Sequence, residues 1–504
     1  MLLKSIFRIT KKILKNNIYI ILSIFILLIT FSSFYGSWII ESDSLHYQLL
    51  SLDKNFFSVI NNFFITNLYQ GRATFFGGFW YRLTFLFDNY IYFKLVFYIL
   101  VGLNCYLLSL LISKIFNYKN IFYFVFVIFA IFLQNTWHAN GLLGFSNMFT
   151  GMITIFLLSL IFFHKYIISG DKKCLLISVI FYIFSLFTYE IFVIYLPLFP
   201  LLIINEMKFF DIKKIFAKSK YLLFSVFFYL VVYLIVKSFT LSSYSGVSIG
   251  SGFNISNIAK VLLQFSISSL PLYMLKYDTW SRSFGVFNLL FLNKNLLIII
   301  LFLILKFIAV FIIIFSILKS SFNKIKINFL LILIGIFYFF CTPILLAITN
   351  HYQSVVLNKI FLSEPITYFS YFYLIFTITV IVFWINNKLQ NNIIRNCFVL
   401  FVAIIFSIIS LIMDFSNINY NISQTIAKNK WSKVDQFIKT EDFKLIPNGS
   451  IVYTTNLSDS VGTLIINEKN YWSHYIKAKT GKDLIIIDTI DSSNSKKYTL
   501  KYNN

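Results

Sequence analysis
The sequence predicts an α-helical polytopic membrane protein with about eleven membrane-spanning helices and a small α/β domain at its C-terminal end. Three observations predict it. The chain is 59% hydrophobic and 12% charged, with a mean hydropathy of +0.80, whereas soluble domains carry about twice that share of charge. Apolar runs long enough to cross a hydrocarbon core of about 30 Å recur along the chain, and in lipid such runs must be helices because the backbone has to satisfy its own hydrogen bonds. From position 414 onward Asn, Lys, Asp and Ser rise and the apolar runs shorten.

The expected spans are 17–40, 91–113, 119–134, 143–166, 175–188, 190–204, 221–240, 295–318, 329–349, 367–386 and 396–413. The first follows Lys4, Arg8, Lys11, Lys12 and Lys15 and is too long for the core of a cleaved signal, so it reads as an uncleaved span. The fifth and sixth are short and read as a hairpin turning at Tyr189 and Glu190. The formal charge of +24 does not indicate nucleic acid, because the cations sit in short clusters between apolar runs. Lys114, Lys172, Lys173, Lys213, Lys214, Lys319, Lys324 and Lys388 fall on alternate connections. That positive-inside pattern puts the N-terminus in the cytoplasm and residues 414–504 outside.

Residues 1–413 thus form a membrane module with long outer loops at 41–90 and 241–294, and 414–504 an extracytoplasmic domain. In the first loop Phe56, Phe57, Ile60, Phe63 and Phe64 recur at helical spacing, as in a helix lying on a membrane surface. In the last segment, residues 450–455 and 484–490 are rich in β-branched side chains and read as strands. Cys105, Cys174, Cys341 and Cys397 have neither disulfide nor zinc spacing. There is no Walker A loop, no HExxH and no Gly-x-Ser-x-Gly elbow, so ATP-driven transport and zincin-type proteolysis lack a sequence basis.

Several groups can carry chemistry. Glu41-Ser42-Asp43 follows the first span, with His46 just beyond. A solvated helix end is the plain reading, yet two carboxylates at the lipid boundary are placed to meet a lipid-linked headgroup. They could hold a divalent cation or act without one; no cofactor is otherwise called for. Arginine is scarce, five against 38 lysines, yet Arg72, Arg82 and Arg282 all fall on the outer side. Topology favours the opposite, and the guanidinium fork suits phosphate oxygens, so a phosphate ligand at the outer face is expected. Thr188-Tyr189-Glu190 puts an ionisable group between apolar runs, where such a residue usually faces a polar cavity. Trp137, His138 and Trp280 are candidate ligand walls, and Lys306, mid-span, reads as a structural group that must pair or snorkel.

These features together resemble bacterial glycosyltransferases of the GT-C superfamily. Glu41-Ser42-Asp43 resembles the acidic motif that those enzymes carry after the first span, although Ser42 separates the two acids. Gly71-Arg72 and Thr188-Tyr189-Glu190 resemble motifs of the O-antigen glucosyltransferase branch, and Tyr471-Trp472-Ser473-His474-Tyr475 followed by Thr480-Gly481-Lys482 is similar to an element of some outer domains. The resemblance implies a bacterial cytoplasmic-membrane enzyme. It would move a sugar, with inversion, from a polyprenyl-phosphate donor to a surface glycan or lipid-linked acceptor, with Asp43 or Glu41 as base. A lipid-linked oligosaccharide polymerase and a polyprenyl-linked sugar transporter or flippase are the competing readings. Convergence of Glu41, Asp43, Arg72 and Glu190 on one cavity would separate them.

Overall fold
The computed structural model describes residues 2–35, 55–87, 90–134, 147–207, 211–240, 254–273, 296–322, 325, 327–357, 366–454, 471–487 and 498–500. The N-terminal half contains α1 (Leu2–Ser32), α2 (Phe56–Tyr69), α3 (Gly77–Thr84), α4 (Tyr90–Ile115), α5 (Asn120–Phe132), α6 (Met148–Ser169) and α7 (Lys172–Leu186). A 3-10 turn, Glu190–Val193, leads into α8 (Leu198–Met207), then α9 (Ile212–Phe239) and α10 (Ile255–Ile267). There follow α11 (Leu296–Ser320), α12 (Phe329–Cys341), α13 (Ile344–Ala347), α14 (Asn350–Leu357), α15 (Thr367–Lys388) and α16 (Asn392–Phe437). The chain closes with α17 (Glu441–Leu445), β1 (Ile451–Thr454), α18 (Tyr471–Thr480), β2 (Ile485–Ile487) and β3 (Tyr498–Leu500).

The protein is an α-helical membrane protein. Among the described residues seven helical segments are long and apolar enough to cross a bilayer: Ile91–Ile115, Met148–Ser169, Glu190–Met207, Ile212–Phe239, Leu297–Ser320, Thr367–Lys388 and Asn392–Ile418. The other four expected spans fall on shorter apolar stretches: Asn17–Ser32 at the end of α1, with 36–40 of that expected span outside the described residues, and α5, α7 and α12. The reason differs among them. Apolar composition continues past Cys341, but Pro343 starts a new short helix and breaks the run. α5 is apolar all round, and Ile121 and every residue from Phe124 to Leu133 are buried, so it is a core helix. α1, α4, α11, α15 and α16 pack around it.

Polar residues at the joints set the helix starts. Asn55, Asp171, Asp211, Asn254, Asn328 and Asn391 each accept backbone N–H bonds of the helix that follows, satisfying donors that have no partner within the helix. Bulky aromatics fill the interior, and glycine lets two elements meet: a methyl on Gly151 of α6 would run into the Trp80 ring.

The composition change at 414 is not a break in the backbone, since α16 runs through it to Phe437. Beyond it, β1 pairs in parallel with β2 and with β3, in the order β2-β1-β3; β1 and β2 lie within the segments read as strands. Trp472 and Tyr475 are buried there. The Tyr475 hydroxyl and Lys479 both donate to Asp435 of α16, tying α18 to the end of that helix.

Candidate functional site
Arg72 is aimed by a helix ending. α2 stops with Gly71 at φ 70°, the Gly71 N–H bonds to the Leu68 carbonyl and the Arg72 N–H to that of Asn67. This is a Schellman ending, in which glycine takes the left-handed position and the next residue leaves at a set angle. Asn67, buried, holds the turn by donating to the Phe63 carbonyl and accepting from the Thr74 hydroxyl. Space makes a second demand on Gly71: a methyl there would lie 2.7 Å from Thr240 Oγ1 and 3.3 Å from Lys237 Cδ. Gly71→Ala is therefore expected to destabilise the protein by about 1–2 kcal/mol from the left-handed conformation alone. The check is the unfolding midpoint in detergent, and an unchanged midpoint would contradict it.

Tyr189 and Glu190 occupy the corner between α7 and α8. α7 ends at Leu186, the Thr188 hydroxyl donates to the Phe184 carbonyl, and Tyr189 is extended before the turn begins at Glu190. Two links hold the Arg72 loop to this corner. The Phe76 N–H donates to the Phe187 carbonyl at 3.0 Å, and Phe75 and Phe76 stack on Phe187 and Phe184 at 5.5 and 4.8 Å.

The charged groups then meet. Arg72 Nε donates to Glu190 Oε1 at 3.2 Å and Nη2 to Oε2 at 3.0 Å. The guanidinium carbon lies 5.6 Å from the Tyr189 ring centroid, within cation–π range. Both side chains keep about a fifth to a quarter of their surface exposed, at 20% and 24%. They line a cavity of about 360 Å³ with Tyr229, Tyr233, Lys237, Thr349 and Tyr352. That volume suits a small ligand or headgroup, and a wall of ring faces beside charged groups can hold a sugar and an anion. A second cavity, of about 120 Å³ between α4, α6, α8, α12 and α15, has no charged side chain on its wall among the described residues. The hydrogen bond from Tyr195 to Thr342 joins a residue lining one cavity to a residue lining the other.

Of the residues expected from sequence, Arg72, Tyr189 and Glu190 are brought together. Arg82 is not on this wall; it sits near the end of α3 and donates to the Phe85 carbonyl at 2.8 Å. Glu41, Asp43, His46, Trp137, His138, Trp280 and Arg282 lie outside the described residues. Among the described residues no cluster of three or more His, Cys, Asp or Glu side chains could hold a metal. Lys306 pairs with Asp414 at 2.6 Å and donates to the Thr30 hydroxyl at 2.7 Å. With side chains 0% and 2% exposed, this pair is sealed from both cavities and is structural.

Sequence reasoning missed Tyr229, Tyr233 and Lys237. A signal was present: the three stand four residues apart on one face of α9, a helix whose Phe224, Phe227, Leu234 and Ile235 are exposed. The chain matches no protein-family model and no curated protein.

Proposed function
We propose that this chain is a membrane glycosyltransferase of GT-C type. It moves a sugar from a polyprenyl-phosphate-linked donor to a cell-surface glycan or lipid-linked acceptor on the outer face of a bacterial cytoplasmic membrane, with inversion. On this reading the shorter apolar helices also cross or enter the bilayer, bringing the spans to about eleven, and residues from 414 onward form an outer α/β domain.

One observation carries the reading: Arg72 and Glu190, 118 residues apart, form a two-point ion pair on a tyrosine-lined cavity. Two short motifs singled out for chemistry have come to one place. The lysine distribution assigns that end of the bundle to the outside. Glu190 holds the guanidinium, Arg72 adds positive charge beside the donor phosphate, and the tyrosine faces offer apolar surface to a sugar ring. Asp43, assisted by Glu41, takes the acceptor proton in this scheme, a role that rests on sequence alone. The sealed Lys306–Asp414 pair lines neither cavity, which weighs against a transport path through it.

The test is mass spectrometry of surface glycans from cells with and without the gene. A single sugar substituent lost with the gene is expected. Identical glycans would overturn the proposal, and altered chain length at constant composition would favour a polymerase. In the same cells Arg72→Ala should lower the modified fraction at least about tenfold, the low end for a lost bond between charged groups. Arg72→Lys should also fall, because an ammonium cannot make the two-point contact with Glu190. Full modification in Arg72→Ala would remove the residue from the site.

A further inference from the structure
Among the described residues the cavity wall carries three charged side chains, Arg72, Glu190 and Lys237. Arg72 commits Nε and Nη2 to Glu190, so these two charges offset each other locally. The Lys237 ammonium makes no hydrogen bond or ion pair among the described residues. It leaves the described part of the wall with one net positive charge.

The surroundings of Lys237 place that charge. A methyl on Gly71 would lie 3.5 Å from its Nζ, so the ammonium rests over the turn that aims Arg72. A lysine in a last helical turn often serves the terminal carbonyls, but here the Thr240 hydroxyl takes those of Val236 and Lys237. The ammonium is thus not spent on its own helix. A second observation points to a ligand. Tyr229, eight residues earlier on the same face, is 1% exposed, and its buried hydroxyl has no hydrogen-bond partner among the described residues. Buried polar groups are nearly always partnered, and Tyr229 lines this same cavity.

We infer that Lys237 binds the anionic phosphate group of the ligand, with the Arg72–Glu190 pair acting as the fixed frame beside it and the Tyr229 hydroxyl as a further hydrogen-bonding group. The inference rests on the glycosyltransferase reading for the ligand's identity, not for its charge. The sequence pointed to Arg72 as the principal phosphate ligand because of its fork, but the fork faces Glu190. An approaching anion meets the Glu190 carboxylate as well as the guanidinium, and Lys237 tips that balance toward binding. Lysine suits the task as a compact charge with three donors.

The experiment uses the full chain in lipid nanodiscs, with farnesyl phosphate and inorganic phosphate as probes and titration calorimetry as the readout. Lys237→Met is expected to weaken farnesyl phosphate about tenfold or more, while Lys237→Arg stays near the wild type. Lys237→Gln, which shortens the stem, stays polar and removes the charge, should weaken binding as Lys237→Met does. Unfolding midpoints identify any variant that fails to fold. Equal binding of farnesyl phosphate by wild type and Lys237→Gln would overturn the inference. Comparable binding of inorganic phosphate, lost in the same variants, would keep Lys237 as the anion-binding residue and assign the site to free phosphate. Lost binding in Lys237→Gln, with glycans that do not depend on the gene, would keep the inference and remove the transferase. Gene-dependent glycans with normal binding in Lys237→Gln would do the reverse.

Discussion
Asp43→Asn is expected to slow sugar transfer at least about a hundredfold while leaving insertion and donor binding intact. An acceptor hydroxyl is a weak nucleophile until its proton is taken in the transition state, and a positioned carboxylate supplies about 10²–10⁴-fold by taking it. In an inverting displacement the attack comes opposite the leaving phosphate. The base and the Arg72–Lys237 cluster should therefore flank the anomeric carbon from two sides. Asp43 stands two residues further from the first apolar run than Glu41, nearer to an arriving acceptor. Asparagine keeps its shape and removes its basicity, so the loss should fall on turnover and not on donor affinity. The measurement is single-turnover transfer in membranes carrying equal amounts of each variant. Near-normal turnover in Asp43→Asn with a dead Glu41→Gln would exchange the two roles. Near-normal turnover in both would end the carboxylate mechanism.

Lys306→Met should destabilise the protein by about 3–5 kcal/mol, the usual cost of leaving one member of a buried ion pair alone. Lys306 Nζ donates to both Asp414 oxygens, at 2.7 and 2.6 Å, and to the Thr30 hydroxyl at 2.7 Å. Thr30 in turn donates to the Ile26 carbonyl at 3.0 Å and to that of Ala130 at 3.3 Å. One ammonium thereby links α1, α11 and α16, and Thr30 extends the link to α5. Neither water nor a lipid headgroup can replace it at a side-chain exposure of 0%. Lys306→Met with Asp414→Leu, which removes both charges, should recover most of the loss, since apolar replacement of a whole buried pair is often neutral or better. Unfolding of the purified protein in detergent is the check, and a single variant as stable as the wild type would show that the pair contributes nothing.

Much of the fold was legible because the bilayer constrains composition directly. The runs at 91–113, 143–166, 190–204, 221–240, 295–318, 367–386 and 396–413 correspond to the long apolar helices. The strands at Ile451–Thr454 and Ile485–Ile487 likewise fell where β-branched residues cluster. Helix length was harder to read. Apolar character persists across Pro343, so composition alone merges two helices that the backbone separates. At the site, scarcity pointed to Arg72 and unfavourable placement to Glu190. Lys237 drew no attention as one lysine among 38 at the end of an ordinary apolar helix.

By itself the sequence determined the solvent of this protein, the approximate course of its helices and the side chains too costly to be idle. Those properties are local: the apolar length of a segment, or a charge set among hydrocarbon, is written in adjacent residues. Tertiary structure alone decided the partners. Arg72 meets Glu190 across 118 positions and Lys306 meets Asp414 across 108. A pairing at that separation depends on how helices pack and where turns aim their ends, and no stretch of neighbouring residues records it.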